Sequence, residues 1–154
     1  MGYKTRIIAE EGKQEILITR EFDIPVALLY KAYIEPDLIE QWMGTKVVKF
    51  EFQKHGSYRF ETTDPQGNKH GFNGVIHDYI KKQEIIRTFE MENRKFGVQL
   101  EIYSFEPLTS KTSRLKQQVI YQSPYLRDQN LKLPFKQGIN WAHNLMEEIL
   151  VNLQ

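Results

Sequence analysis

From Lys46 to Gln122 apolar and polar residues alternate with a period of two, the spacing that sends successive side chains to opposite faces of a strand. Six segments carry the pattern: "KVVKFEF" (46–52), "GSYRFETT" (56–63), "HGFNGVIHDYI" (70–80), "QEIIRTFEME" (83–92), "GVQLEIYSFEP" (97–107) and "TSRLKQQVIYQ" (112–122). Turn-forming residues separate them, including His55-Gly56, Asp64–Asn68, Lys81-Lys82, Asn93–Lys95 and Pro107–Lys111. Connections this short predict an antiparallel meander, because a parallel crossover needs about a dozen residues or more. Upstream, "EILITREF" (15–22) reads as a further strand. Residues 1–14 are polar and weakly patterned, a flexible tail or a short edge strand.

Two short helices are predicted between the first strand and the meander. Pro25 and Pro36 each suit a first helical turn, where a missing N–H costs nothing, and Gly44 suits the stop. Leu28, Leu29, Ala32 and Tyr33 share one helical face; Leu38, Ile39 and Trp42 share the next. After "SPYLRDQNLKLP" (123–134), read as a loop, the longest helical pattern closes the chain. Phe135, Ile139, Ala142, Leu145, Met146, Ile149, Leu150 and Leu153 recur at threes and fours. The expected fold is α+β: a curved seven-stranded antiparallel sheet wrapped round a long C-terminal helix, a helix-grip arrangement. A sheet with one wet face must cover the other, and only the last helix is long enough. The paired short helices would close one end of the space beneath it, with Trp42 and Met43 as a plug or gate.

Composition narrows the picture. The 154 residues form a single expected domain, 1–154, with 40% apolar and 27% charged residues. The charge is +1 from 21 basic and 20 acidic residues, with no basic block of the kind nucleic-acid binders carry. Cysteine is absent, which excludes disulfides, thiolate metal sites and cysteine nucleophiles. The first residues show no signal-peptide core, and no apolar run approaches the roughly 18 residues of a membrane span, so a cytoplasmic protein without membrane contact is expected.

Several stretches together resemble the START-like (Bet v 1-like, SRPBCC) helix-grip superfamily, and within it the group named for the Hsp90 ATPase activator homologue. They are "TREFDIPVALLYKAYIEPDLIEQWMG", "HGSYRFETTDPQGN", "FNGVIHDYIKKQEIIRTFE" and "SPYLRDQNLKLPFKQGINWAHNLMEEIL", in that order. Thr45 and Lys82 depart from the family pattern, where proline is usual. The resemblance implies the helix-grip fold and a stress-response setting. It leaves function open, since the superfamily hosts binders, transporters, cyclases and co-chaperones on one scaffold.

Chemistry is sparsely signalled. His55, His70, His77 and His143 have no partners at metal spacing, and no nucleophile elbow or phosphate loop occurs. His55 and His70 read as solvated turn residues, and His143, one position off the apolar stripe, as a helix flank. Arg127-Asp128 reads as a loop-ordering or helix-docking pair. No cofactor, metal or catalytic residue is expected. The better-supported expectation is a binding cavity. Strand parity puts Tyr58, Phe60 and Thr62 on one face, Val98, Leu100 and Ile102 on another inner set, and Leu115, Gln117, Val119 and Tyr121 on a third. Gly71 and Gly74 suggest a bulge that lets the sheet curl, which makes Phe72 and Ile76 weaker choices. With Trp42, Met43, Ile139, Ala142 and Met146 these give the expected ligand-binding set: Trp42, Met43, Tyr58, Phe60, Thr62, Phe72, Ile76, Leu100, Ile102, Gln117, Val119, Tyr121, Ile139, Ala142 and Met146. The expected guest is a small hydrophobic molecule of lipid, polyketide or phenolic class, bound without catalysis by a monomer or weak homodimer. Two alternatives stand beside it. One is a co-chaperone-like module acting on Hsp90, disfavoured because such an activator works with a further N-terminal domain that this length leaves no room for. The other is a cofactor-free cyclase or hydratase using cavity tyrosines or His77.

Overall fold

The computed structural model describes residues 4–154. Among the described residues, one antiparallel sheet of eight strands, not seven, runs in the order β1-β2-β8-β7-β6-β5-β4-β3. The added strand is β1 (Arg6–Ile8), which takes the edge-strand option for the N-terminal segment by pairing Arg6 with Thr19 and Ile8 with Leu17 of β2 (Glu15–Phe22). Residues 1–3 of that segment lie outside the described residues. The meander follows as β3 (Lys46–Phe50), β4 (Ser57–Thr63), β5 (Lys69–Ile80), β6 (Glu84–Met91), β7 (Val98–Pro107) and β8 (Ser113–Ile120).

β2 pairs with β8, while β3 sits at the far edge. The chain must therefore cross the sheet between β2 and β3, and α1 (Val26–Ile34) and α2 (Pro36–Met43) carry it across the concave side. This is why the helix is broken: Pro36 opens α2 at its first position and Gly44, at φ 62°, ends it in the left-handed conformation glycine adopts freely. The Trp42 indole donates to the Ala32 carbonyl at 2.8 Å and so fastens α2 back onto α1.

The segment 123–134 is not a plain loop. It contains α3 (Pro124–Leu131), started by Ser123, whose hydroxyl accepts from the Leu126 amide at 3.1 Å, with Pro124 in the first turn. Arg127 is buried on α3; its Nη1 donates to the carbonyls of Glu10 at 2.6 Å and Glu15 at 3.2 Å, besides its pairing with Asp128. It thus docks the helix on the turn between β1 and β2. α4 (Phe135–Val151) then lies across the concave face.

Two expectations about the sheet are corrected. The register shifts fall between Val47 and Lys49 and between Ile76 and Asp78, not at Gly71 or Gly74. Gly74 instead allows a close approach: a Cβ there would collide with the Thr88 carbonyl and the Tyr58 ring, and Tyr58 reaches past it to donate to the Thr88 carbonyl at 2.6 Å. The inner set of β7 is also reversed. Gln99, Glu101, Tyr103 and Phe105 are buried, while Val98 is 42% exposed and Leu100 and Ile102 are half-buried on the opposite, convex face.

The dry core occupies one half of the space under α4. Phe22, Ile24, Leu29, Phe105, Leu115, Met146 and Leu150 pack there around the α1 aromatics Tyr30 and Tyr33. Among the described residues no helix is long and apolar enough to cross a membrane.

Candidate functional site

The other half of that space is a cavity of about 510 Å³. Its origin lies in one row of α4 side chains spaced four apart: Gly138, Ala142, Met146, Leu150. Side-chain volume along this row grows toward the C-terminus. Met146 and Leu150 reach the sheet and belong to the dry core, whereas Gly138 and Ala142 leave the sheet uncovered and line the cavity. A Cβ built on Gly138 would meet nothing within 4 Å. The lining residues that are also exposed (Arg94, Pro134 and Gly138) mark where the cavity meets solvent.

Its walls are mostly apolar. Trp42, Met43 and Ile39 come from α2, Phe60 from β4, Phe89 and Met91 from β6, Val119 from β8, and Phe135 and Ile139 from α4. Trp42 packs on Tyr33 with ring centroids 5.2 Å apart and keeps its indole bonded to α1, so it is a fixed wall rather than a hinged gate.

A polar cluster breaks the apolar floor. Arg87 on β6 lies directly across from Glu101 on β7, and its Nε donates to Glu101 Oε1 at 2.9 Å. Arg87 Nη2 donates to the Tyr103 hydroxyl at 2.7 Å, which donates in turn to Glu101 Oε1 at 2.8 Å. The amides of Gln99 and Gln117 donate to Glu101 Oε2 at 3.1 and 3.4 Å. The guanidinium is sandwiched 4.9 Å from both the Tyr58 and Tyr103 ring centroids. Arg87 and Glu101 are only 7% and 4% exposed, so the pair depends on its own hydrogen bonds rather than on water. Burial pushes the hydroxyls of Tyr33 and Tyr103 well above the ordinary phenol range, so both remain neutral. The Tyr33 hydroxyl is buried with no hydrogen-bond partner among the described residues.

His143 is not a helix flank. It lines the cavity at 2% exposure, edge-on to Phe22, with its Nδ1 2.8 Å from the Thr5 hydroxyl. Thr5 also receives a bond from Arg20, and its amide donates to Asn140, so the segment before β1 covers the side of α4 that the apolar stripe leaves bare. Burial, reinforced by Arg20, lowers the His143 pKa from 6.5 to about 3. The unfolded chain therefore binds a proton that the folded chain refuses between these values, and stability falls as pH falls. Acidification from pH 7.5 to 5 is expected to cost about 2 kcal/mol through this group alone. Urea unfolding of the wild type and of His143→Gln at both pH values checks this; the variant should lose most of that pH slope.

Of the residues expected to line the site, Trp42, Met43, Phe60, Gln117, Val119, Ile139 and Ala142 border the cavity. Tyr58 and Ile76 pack in a cluster with Ile39 and Phe60, and Phe72 stacks on Phe89 at 5.5 Å. Thr62 bonds Thr45 at 3.2 Å. Tyr121 packs with Ile16, Ile18 and Val119, and Met146 sits in the dry core. Leu100 and Ile102 are on the convex face, for the parity reason given above. His77 is exposed and faces away, so the cyclase or hydratase alternative loses its named base. Arg87, Gln99, Glu101, Asn130 and His143 line the cavity without having been expected there. The signal that could have found the first three is the inward parity of β6, with Ile85 and Arg87 buried on one face, joined to the Arg87–Glu101 pairing.

Solved structures of other proteins share this fold at low sequence identity. A protein from Rhodobacter sphaeroides superposes with a TM-score of 0.86 at 20% identity, over 97% of this chain and 99% of that one. A protein from Mycobacterium smegmatis gives 0.84 at 21%, over 98% and 99%. One from Arthrobacter aurescens gives 0.86 at 16%, over 96% and 91%. No curated protein sequence matches. The family described as Activator of Hsp90 ATPase homolog 1-like protein matches residues 23–150, which include every strand of the meander, α3 and nearly all of α4. The chain belongs to the Activator of Hsp90 ATPase homolog 1-like family.

Proposed function

We propose that the protein binds one small, largely apolar molecule in the cavity beneath the first half of α4, without chemically altering it. The observation that carries this reading is the cavity itself. Its 510 Å³ falls within the roughly 300–1,000 Å³ typical of small-molecule sites, and its walls are apolar with a few convergent polar groups. The α4 row supports the same reading: the small residues Gly138 and Ala142 line the cavity, and a helix glycine costs about 1 kcal/mol relative to alanine. The Arg87–Glu101 cluster supplies polarity but no free base, because the Glu101 carboxylate is engaged by four donors.

The test is a fluorescence titration with N-phenyl-1-naphthylamine, a neutral apolar dye that brightens in dry surroundings. The expected result is saturable one-to-one binding with blue-shifted emission. A linear, non-saturating signal would remove the reading.

A further inference from the structure

Resting on that reading, we propose that the cavity selects guests whose buried head group is uncharged and donates hydrogen bonds, such as a hydroxyl or an amide N–H, and discriminates against carboxylates. The argument starts from Glu101. An ionised carboxylate only accepts hydrogen bonds, so the two glutamines that touch it must present their NH₂ groups to it. The orientation of both amides is thereby settled by chemistry. Their carbonyl oxygens are left over: neither Gln99 Oε1 nor Gln117 Oε1 has a donor among the described residues, and both residues line the cavity. Two unfilled acceptors on residues of the cavity lining call for a donor from whatever enters.

The positive charge nearby does not reverse this preference. Arg87 spends Nε and Nη2 on Glu101 and Tyr103, and its charge is already balanced by Glu101 at 2.9 Å. A guest carboxylate at the floor would set a second anion beside buried Glu101 among mostly apolar walls, where like charges repel more strongly than in bulk water. A hydroxyl can donate to a glutamine oxygen and accept from Arg87 Nη1, which has no acceptor among the described residues. Buried Asn130, whose side chain makes no hydrogen bond among the described residues, offers a further donor and acceptor on the α3 side. Arg94 at the mouth could hold an anionic head outside. The guest's tail would then press on the floor and leave its polar atoms unpaired, which is costly in a buried site.

The experiment displaces N-phenyl-1-naphthylamine from the protein at pH 7.5 with three competitors built on the same ten-carbon chain: decan-1-ol, methyl decanoate and decanoate. Decan-1-ol is expected to displace the dye at about fivefold lower concentration than methyl decanoate, which accepts but does not donate. Decanoate should be at least tenfold weaker than decan-1-ol. In Glu101→Gln the balancing anion is gone and Arg87 is left with net charge, so the alcohol-to-carboxylate ratio should fall at least tenfold. That comparison cancels the intrinsic difference in water affinity between the two competitors. Equal displacement by alcohol and ester overturns the proposal in wild-type protein alone, and so decides the matter even if Glu101→Gln does not fold. An unchanged ratio in folded Glu101→Gln also overturns it. If the dye itself does not bind, the apolar-guest reading falls and takes the proposal with it; if the dye binds and the competitors do not discriminate, the proposal falls alone.

Discussion

Arg87→Ala is expected to lose about 3–5 kcal/mol of folding stability, the cost of breaking a buried ion pair from one side. The loss arises from what remains. Glu101, 4% exposed, would keep a carboxylate in the floor with only Tyr103 and the two glutamine amides to satisfy it. The guanidinium also fills the slot between the Tyr58 and Tyr103 rings, and truncation empties it. Pairing Arg87→Met with Glu101→Leu should restore only part of the loss: replacing a buried pair by apolar side chains is often neutral, but Gln99, Tyr103 and Gln117 then lose their shared acceptor. Urea unfolding curves at pH 7.5 read both effects. A cost below about 1 kcal/mol for Arg87→Ala is the range of a solvated surface pair and would contradict the burial described for it.

Gly138→Leu is expected to weaken guest binding at least tenfold while leaving the fold intact. A Cβ at this lining position meets nothing within 4 Å, so the new side chain has open space at the cavity mouth and is expected to obstruct entry. Its backbone effect is favourable, since a glycine within a helix costs about 1 kcal/mol relative to alanine and nearly as much relative to leucine. Gly138→Ala should raise the melting temperature by roughly 2–4 °C, as about 1 kcal/mol does in a chain of this size. The combination of higher stability and lower affinity separates a designed opening from a packing defect. If Gly138→Leu instead destabilised the protein by more than about 2 kcal/mol, the space beneath α4 would be filled by something the present geometry omits.

The elements that were legible in the sequence are those whose pattern is local. The alternation in β4 and β8 placed Phe60, Gln117 and Val119 on the inner face, and the proline and glycine punctuation located α1 and α2. α3 was missed because "PYLRDQNL" carries no apolar stripe; it forms through the Ser123 cap and through Arg127 docking on distant carbonyls. β1 is three residues long and exists only by pairing with β2. The polar floor was hidden for a different reason. Taking the apolar residues of β7 as the inward ones selects Leu100 and Ile102, but the inward positions hold Gln99, Glu101 and Tyr103, stabilised by Arg87 across the register. A charge on a strand can be read as buried only once its partner is known, and that partner lies 14 residues away. His143 was misjudged likewise, since the flank of α4 is covered by Thr5, about 140 residues earlier in the chain.

The most direct test of a guest-holding cavity is methyl-region NMR of the ¹³C-labelled protein during titration with decan-1-ol. The account predicts saturable shifts at methyls that line the cavity, among them Ile39, Met43, Met91, Val119, Ile139 and Ala142, with Ile8, Val48 and Ile80 on the outside unmoved. Shifts centred on those exposed residues, or no saturable shift at any methyl, would contradict it.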